Sequence, residues 1–169
     1  MVTRPAVPEP GSEEHDNICR FLMQEEVARQ VVRAAGLSDA SPIRFATEVP
    51  IIERRSNTYA MCVGFADLVI RVGHPYELHG TTFFHTRSKV VVEVKSGRVV
   101  VGEVLRQLKT YQGCLFQSSE EEKPRMVLVA AKLAPEQIAH LQKAGVTPIV
   151  LGLQYAEWRA PGADPALVL

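Results

Sequence analysis

Two stretches of this chain read as buried strands, and both carry charge where a buried strand excludes it. Asp67 stands inside Gly64-Phe65-Ala66-Asp67-Leu68-Val69-Ile70, and Glu93 and Lys95 close Val90-Val91-Val92-Glu93-Val94-Lys95. An unpaired charge is costly in an apolar interior, so each of these groups needs a polar partner. Strand side chains alternate between faces, which puts Glu93 and Lys95 on the same one. The fold must therefore bring charged strand ends together. Two carboxylates and an ammonium meeting there form a site for a divalent cation with a basic neighbour, which suits cleavage of phosphodiesters.

The rest of the chain supplies a frame for such a site. The spacing of Ile18, Phe21, Leu22, Ala28, Val32 and Ala35 predicts one helix from about Ser12 to Ala35. Ser12 or Asp16 is its candidate cap and Gly36 its stop. Glu25 falls on the apolar stripe, seven residues after Ile18. It either reaches the site or pairs with Arg29; Glu26, at the flank, is the weaker candidate. Three strands follow, within Ile43–Ile52, Tyr59–Val72 and Thr81–Lys95, with Pro50 marking an edge or an end. Gly73, Pro75 and Gly80 read as a loop between the last two. Short connections predict an antiparallel meander. Val99 to about Phe116 reads as a helix with Val101, Leu105, Leu108 and Leu115 inward. Met126–Ala131, a helix opened by Pro135 and closed by Gly145, and Val146–Leu151 make a strand–helix–strand unit, for which parallel pairing is the default. The expected class is α/β, a mixed central sheet flanked by helices. The expected divisions are a flexible leader over 1–12, one domain over 13–152 and a tail over 153–169 that has no assignment.

Length and composition agree with one domain. The chain has 169 residues, 46% of them apolar and 22% charged. Its formal net charge is zero, so the molecule as a whole is no general polyanion binder. Charge is uneven, however. From Thr86 to Lys109 there are six basic residues (Arg87, Lys89, Lys95, Arg98, Arg106, Lys109) against Glu93 and Glu103, and Glu120-Glu121-Glu122 offsets them. That patch suits a phosphate backbone, or is simply a solvated face. Cys19, Cys62 and Cys114 are scattered, which favours reduced thiols and a cytoplasmic setting. No apolar run is long enough to span a membrane.

An acidic residue on the second strand, E-x-K on the third (Glu93-Val94-Lys95) and Gln107-x-x-x-Tyr111 on the next helix together resemble the PD-(D/E)XK nuclease superfamily, RecB-like branch. The resemblance covers roughly Asp16 to Leu151. It implies a restriction-endonuclease-like αβββαβ core with an additional C-terminal helix–strand. It implies a Mg²⁺- or Mn²⁺-dependent deoxyribonuclease, endo or exo undetermined, acting in DNA repair or recombination. Asp67 and Glu93, with the carbonyl of Val94, are then the metal ligands, and Glu25 a further one. Lys95 assists the attacking water. Gln107 and Tyr111, one helical turn apart, position nucleic acid with Arg106 and Lys109. Alternatives remain at each position: Glu93 and Lys95 as a surface pair, Tyr111 as core filler, Glu48 as a solvent-facing strand residue.

The pattern also departs from the family. RecB-like members often carry a metal-binding histidine well before the strand aspartate, and His15, in the leader or first turn, reads as a poor match. His74, His79 and His85 lack zinc-site spacing and read as exposed or as contacting substrate. No glycine-rich phosphate loop is present. The implied partner is DNA, with targeting by a helicase, a recombinase or a mobile-element protein. Two other readings stand beside this one: a non-catalytic nucleic-acid-binding or adaptor module on the same fold, and a homodimeric enzyme resembling Holliday-junction resolvases.

Overall fold

The structure, a computed structural model, describes residues 12–115 and 122–158. The expected leader before Ser12, the end of the second long helix at Phe116 and the prolines of the tail lie outside the described residues. The elements run α1 (Glu13–Leu22), α2 (Glu25–Ala34), β1 (Ile43–Arg54), β2 (Ala60–Leu78), β3 (Thr81–Lys95), α3 (Val101–Leu115), β4 (Arg125–Ala130), α4 (Pro135–Lys143), β5 (Val146–Val150) and α5 (Leu153–Trp158). The strands form one sheet in the order β1-β2-β3-β4-β5. β1, β2 and β3 pair antiparallel, while β3–β4 and β4–β5 pair parallel. This is the expected α/β class, a mixed central sheet flanked by helices. The edge strands β1 and β5 each carry one proline, Pro50 and Pro148.

Two apolar clusters cover the two faces. On one, Ile18, Phe21, Leu22, Ala28, Val31 and Val32 meet Leu68, Ile70, Val90, Val92, Val94, Val127 and Val129. On the other, Val104, Leu105, Leu108, Tyr111 and Leu141 meet Ile51, Val69, Val91, Met126 and Leu128. Helices α1 and α2 thus close one face and α3 and α4 the other. The unassigned tail contributes α5 to the first layer. Tyr155 and Trp158 set their rings 5.2 and 5.6 Å from Phe21, and the Tyr155 hydroxyl donates to Glu14 at 2.7 Å.

Two expectations need correction. The first helix is two helices. The chain leaves helical geometry at Met23, and Gln24 is extended (φ −65°, ψ 130°) as the start of α2. The break lets both halves turn apolar faces to the sheet, burying Val27 and Val31 as well. Ser12 caps α1 as expected, its hydroxyl accepting the His15 N–H at 3.2 Å. Finally, Gly73 to Gly80 is not a loop. β2 and β3 continue as a two-stranded ribbon, with Tyr76 opposite Phe83 and Leu78 opposite Thr81. Its turn is made by His79 and Gly80, both at positive φ (51° and 76°), the geometry that matches hairpin twist.

One irregularity positions the charged strand ends. On β1, Ile43 and Phe45 pack into the first cluster but Val49 and Ile51 into the second. Strict alternation would put all four on one face. Glu48, between them, has φ 47°. On β2 the same exchange separates Leu68 and Ile70 from Ala66. The ribbon therefore rolls over at Glu48 and Asp67. The last β2–β3 pair is Leu68 with Val92, so β2 parts from β3 just where Asp67 begins.

Candidate active site

Asp67 turns into the gap between the parting strands. Its Oδ2 accepts the backbone N–H of Val94 at 2.7 Å, which replaces a ladder hydrogen bond and ties the two strands together. Glu93 follows Val92 on β3 and is buried, at 3% exposure. Lys95 lies two residues on, on the same face as expected, and its Nζ donates to Glu93 Oε1 at 2.7 Å. Glu93 Oε2 is buried and has no hydrogen-bond partner among the described residues. Burial pushes the Glu93 carboxyl above the ordinary carboxylate range, and the nearby Asp67 charge adds to this; Lys95 and Gln107 pull it back. The two carboxylates are thus electrostatic neighbours, and together they line a cleft of about 210 Å³ with Ser12, His15, Val94, Lys95, Ser96 and Gly97.

Sequence reasoning misjudged His15. The Ser12 cap starts α1 over the strand ends, and His15, in its first turn, places Nε2 3.1 Å from Asp67 Oδ1. The hydrogen bond to Asp67 is the main cause that holds the imidazolium, pushing its pKa from 6.5 up to about 11; Cys19 helps and partial burial opposes. The signal available was the short polar turn Ser12-Glu13-Glu14-His15 opening a helix.

Glu25 falls outside this cleft. Its expected place rested on an unbroken helix carrying the phase of Ile18 through to residue 25. With the break at Met23 and Gln24, Glu25 begins α2 instead and its side chain is 70% exposed. It receives both Nε (3.1 Å) and Nη2 (2.7 Å) of Arg29, an i,i+4 ion pair. Glu48 is exposed, as expected of a solvent-facing residue.

Tyr111 and Gln107 meet the site from α3. Tyr111 is buried, and its hydroxyl donates to the Phe65 carbonyl at 3.0 Å and accepts the Gln107 amide at 2.8 Å. Core filling and site contact are therefore combined in one side chain. Burial raises the Tyr111 hydroxyl above its ordinary value. Gly64 makes room for it: a Cβ there would stand 2.5 Å from the Tyr111 hydroxyl oxygen. Gln107 donates to Tyr111 and lies near enough to Glu93 to favour its charge. Arg106 and Lys109 are exposed on α3 and do not line the small cleft. His74 and His85 face each other across the far ribbon with ring centroids 5.0 Å apart.

Among the described residues, no three His, Cys, Asp or Glu side chains are grouped to hold a metal ion. Those that converge are Asp67 and Glu93, with the Val94 backbone between them and His15 on the outer oxygen of Asp67. A buried carboxylate oxygen without a partner, beside a second carboxylate, fits a hard divalent cation. No helix among the described residues is long and apolar enough to cross a membrane.

No family model matches this chain, and no curated protein matches it. Among solved structures, it is similar to the crystal structure of a repair endonuclease from Pyrococcus abyssi. The identity is 21% and the TM-score 0.49, over 85% of this chain and 49% of that one. This chain thus spans about half the length of that protein.

Proposed function

We propose that this protein is a metal-dependent nuclease of the PD-(D/E)XK type, RecB-like branch, that hydrolyses DNA phosphodiester bonds. One observation carries the reading: a buried, unpartnered oxygen of Glu93 beside Asp67, with the Lys95 ammonium within hydrogen-bond reach of the same carboxylate. A fold does not keep such an oxygen dry and unpaired without cost, and a bound cation removes that cost.

Asp67, Glu93 and the Val94 carbonyl would hold Mg²⁺ or Mn²⁺, with His15 a further candidate ligand through the nitrogen it now gives to Asp67. Such an ion supplies an acidified water and neutralises charge on the phosphate. Lys95 is one-third exposed, so its ammonium reaches the cleft mouth while its stem stays on the sheet. There it orients a water or meets developing negative charge without competing for the cation. Gln107 lies beside Glu93 and favours its charge, and Tyr111 ties α3 to β2 at Phe65.

A second reading has its own support. His15 and Lys95 already balance Asp67 and Glu93, an arrangement that a non-cutting, nucleic-acid-binding module could also keep. Incubation with linear, circular, single-stranded and branched DNA in Mg²⁺, Mn²⁺ or EDTA separates the two. The nuclease reading expects metal-dependent cleavage that Asp67→Ala abolishes with the fold intact. Wild-type rates from Asp67→Ala would refute it. Mn²⁺ uptake that does not depend on Glu93, with no cleavage, would favour the binding module.

A further inference from the structure

β2 outruns β3 at the site end of the sheet. Between Ala60 and Ala66, β2 pairs with β1 alone, so β1 and β2 continue past the carboxylates as a two-stranded arm. Its turn is closed by the Arg55 N–H donating to the Tyr59 carbonyl at 3.1 Å. From Tyr59 back to Asp67 the arm spans roughly 26 Å, at about 3.3 Å per residue.

Helix α3 runs alongside; one cleft lies on the arm itself and two lie between the arm and the helix. The first, of about 750 Å³, lies at the turn and includes Arg54 and Tyr59. The second, of about 570 Å³, lies between Arg54 on the arm and Lys109 and Thr110 on α3. The third, of about 380 Å³, lies between Val63 and the α3 residues Arg106, Gln107 and Thr110. Arg54 is common to the first two and Thr110 to the last two, so they form one groove. It ends at Gln107, near Glu93.

Arg54, Lys109 and Arg106 outnumber the two acidic residues of the lining, Glu53 and Glu103. Arg54, Arg106 and Lys109 have no ion-pair partner among the described residues, whereas Arg55 is held by Glu53 at 2.9 Å. Spaced cations along a groove match the phosphates of one strand. Tyr59, at the outer end, is 40% exposed. An exposed ring above a basic groove is a stacking platform, and stacking needs an unpaired base.

We propose that the groove between the β1–β2 arm and α3 seats a single-stranded segment of nucleic acid and leads it to the carboxylates. Arg54, Lys109 and Arg106 follow its backbone and Tyr59 stacks on a base. This inference rests on the nuclease reading for what happens at the inner end, but binding tests it separately.

The test is fluorescence anisotropy in EDTA, where no cleavage occurs, with a labelled oligothymidylate of about 20 nucleotides, longer than one such groove requires. A duplex of the same length is the second probe. Tyr59→Ala should weaken single-strand binding at least about 5-fold, and Tyr59→Phe should restore it. Arg54→Ala should lower the salt dependence, log affinity against log salt, by about 0.7. Tyr76→Ala, which removes an equally exposed ring at the opposite pole of the sheet, should change nothing. Wild-type binding by both Tyr59→Ala and Arg54→Ala, equal weakening by Tyr76→Ala, or a duplex bound as tightly as the single strand would each overturn the proposal. If DNA is still cleaved in Mn²⁺ under any of those outcomes, the nuclease reading survives. If the wild-type protein neither binds nor cuts DNA, both readings fall.

Discussion

Replacing Glu93 by methionine should make the metal-free protein more stable. Methionine keeps the length of the side chain and removes the carboxylate. Glu93 is 3% exposed, and one of its oxygens is buried with no partner among the described residues. A buried unsatisfied polar group costs about 1–3 kcal/mol, and more when charged. Against this stands the loss of the Lys95 contact. Lys95 is one-third exposed and can be solvated, so little of that contact is missed. The net gain should be about 1–3 kcal/mol, or roughly 2–12 °C in Tm for a chain of this size. Scanning calorimetry in EDTA near neutral pH measures it. The sign of the pH dependence follows from the raised carboxyl. Glu93 takes up its proton at higher pH in the fold than in the unfolded chain. Wild-type stability from this group is therefore fullest below the ordinary carboxylate value and declines as pH rises through the raised one. The advantage of Glu93→Met should shrink as the pH falls toward 4.5, the ordinary value for the group. Added Mn²⁺ should reverse the ranking: ligand at a hundred times Kd stabilises by about 2.7 kcal/mol, and the variant should gain none of it. A Glu93→Met protein less stable than wild type in EDTA would refute the reasoning, because the carboxylate would then be a structural strut.

Other perturbations test the surrounding network. Asp67→Asn should let the His15 pKa fall from about 11 toward 6.5, followed by the ring-proton shifts in an NMR titration; an imidazole still charged at pH 9 would mean Asp67 is not its partner. The stability that His15 contributes should be complete below pH 6.5 and disappear as the pH rises through about 11, seen by comparing denaturant midpoints of wild type and His15→Gln. Tyr111→Phe leaves the Phe65 carbonyl without its donor and should cost about 1–3 kcal/mol in urea unfolding. Gly73→Ala would set a Cβ 1.9 Å from the His85 carbonyl oxygen, a backbone atom. It should destabilise by about 1–3 kcal/mol, whereas Gly113→Ala, with open space around it on α3, should stabilise by about 0.5–1 kcal/mol.

Residue pattern alone located the strands that matter. Val90 to Lys95 is so apolar that only a central strand accommodates it, and its two charges announce an opening at the strand end. The strand–helix–strand unit was equally legible, because Pro135 and Gly145 mark both ends of α4. What escaped notice depended on contacts between distant segments. The break at Met23 and Gln24 contains neither glycine nor proline, and it is imposed by two helices sharing one sheet face. That single break moved Glu25 out to solvent. His15 entered the site because α1 crosses the ends of strands far from it in sequence, which no local pattern reports. Gly73 to Gly80 reads as a loop on the strength of two glycines and a proline, although Tyr76 in its middle is a residue that strands favour.

The two outer strands each contain a proline, Pro50 in β1 and Pro148 in β5. A proline offers no N–H to an incoming chain, so a further strand laid along either side would meet a missing rung partway. Continuous backbone pairing between neighbouring molecules is thus interrupted at both borders. At high concentration, unwanted association of the folded protein should begin elsewhere than at these two borders.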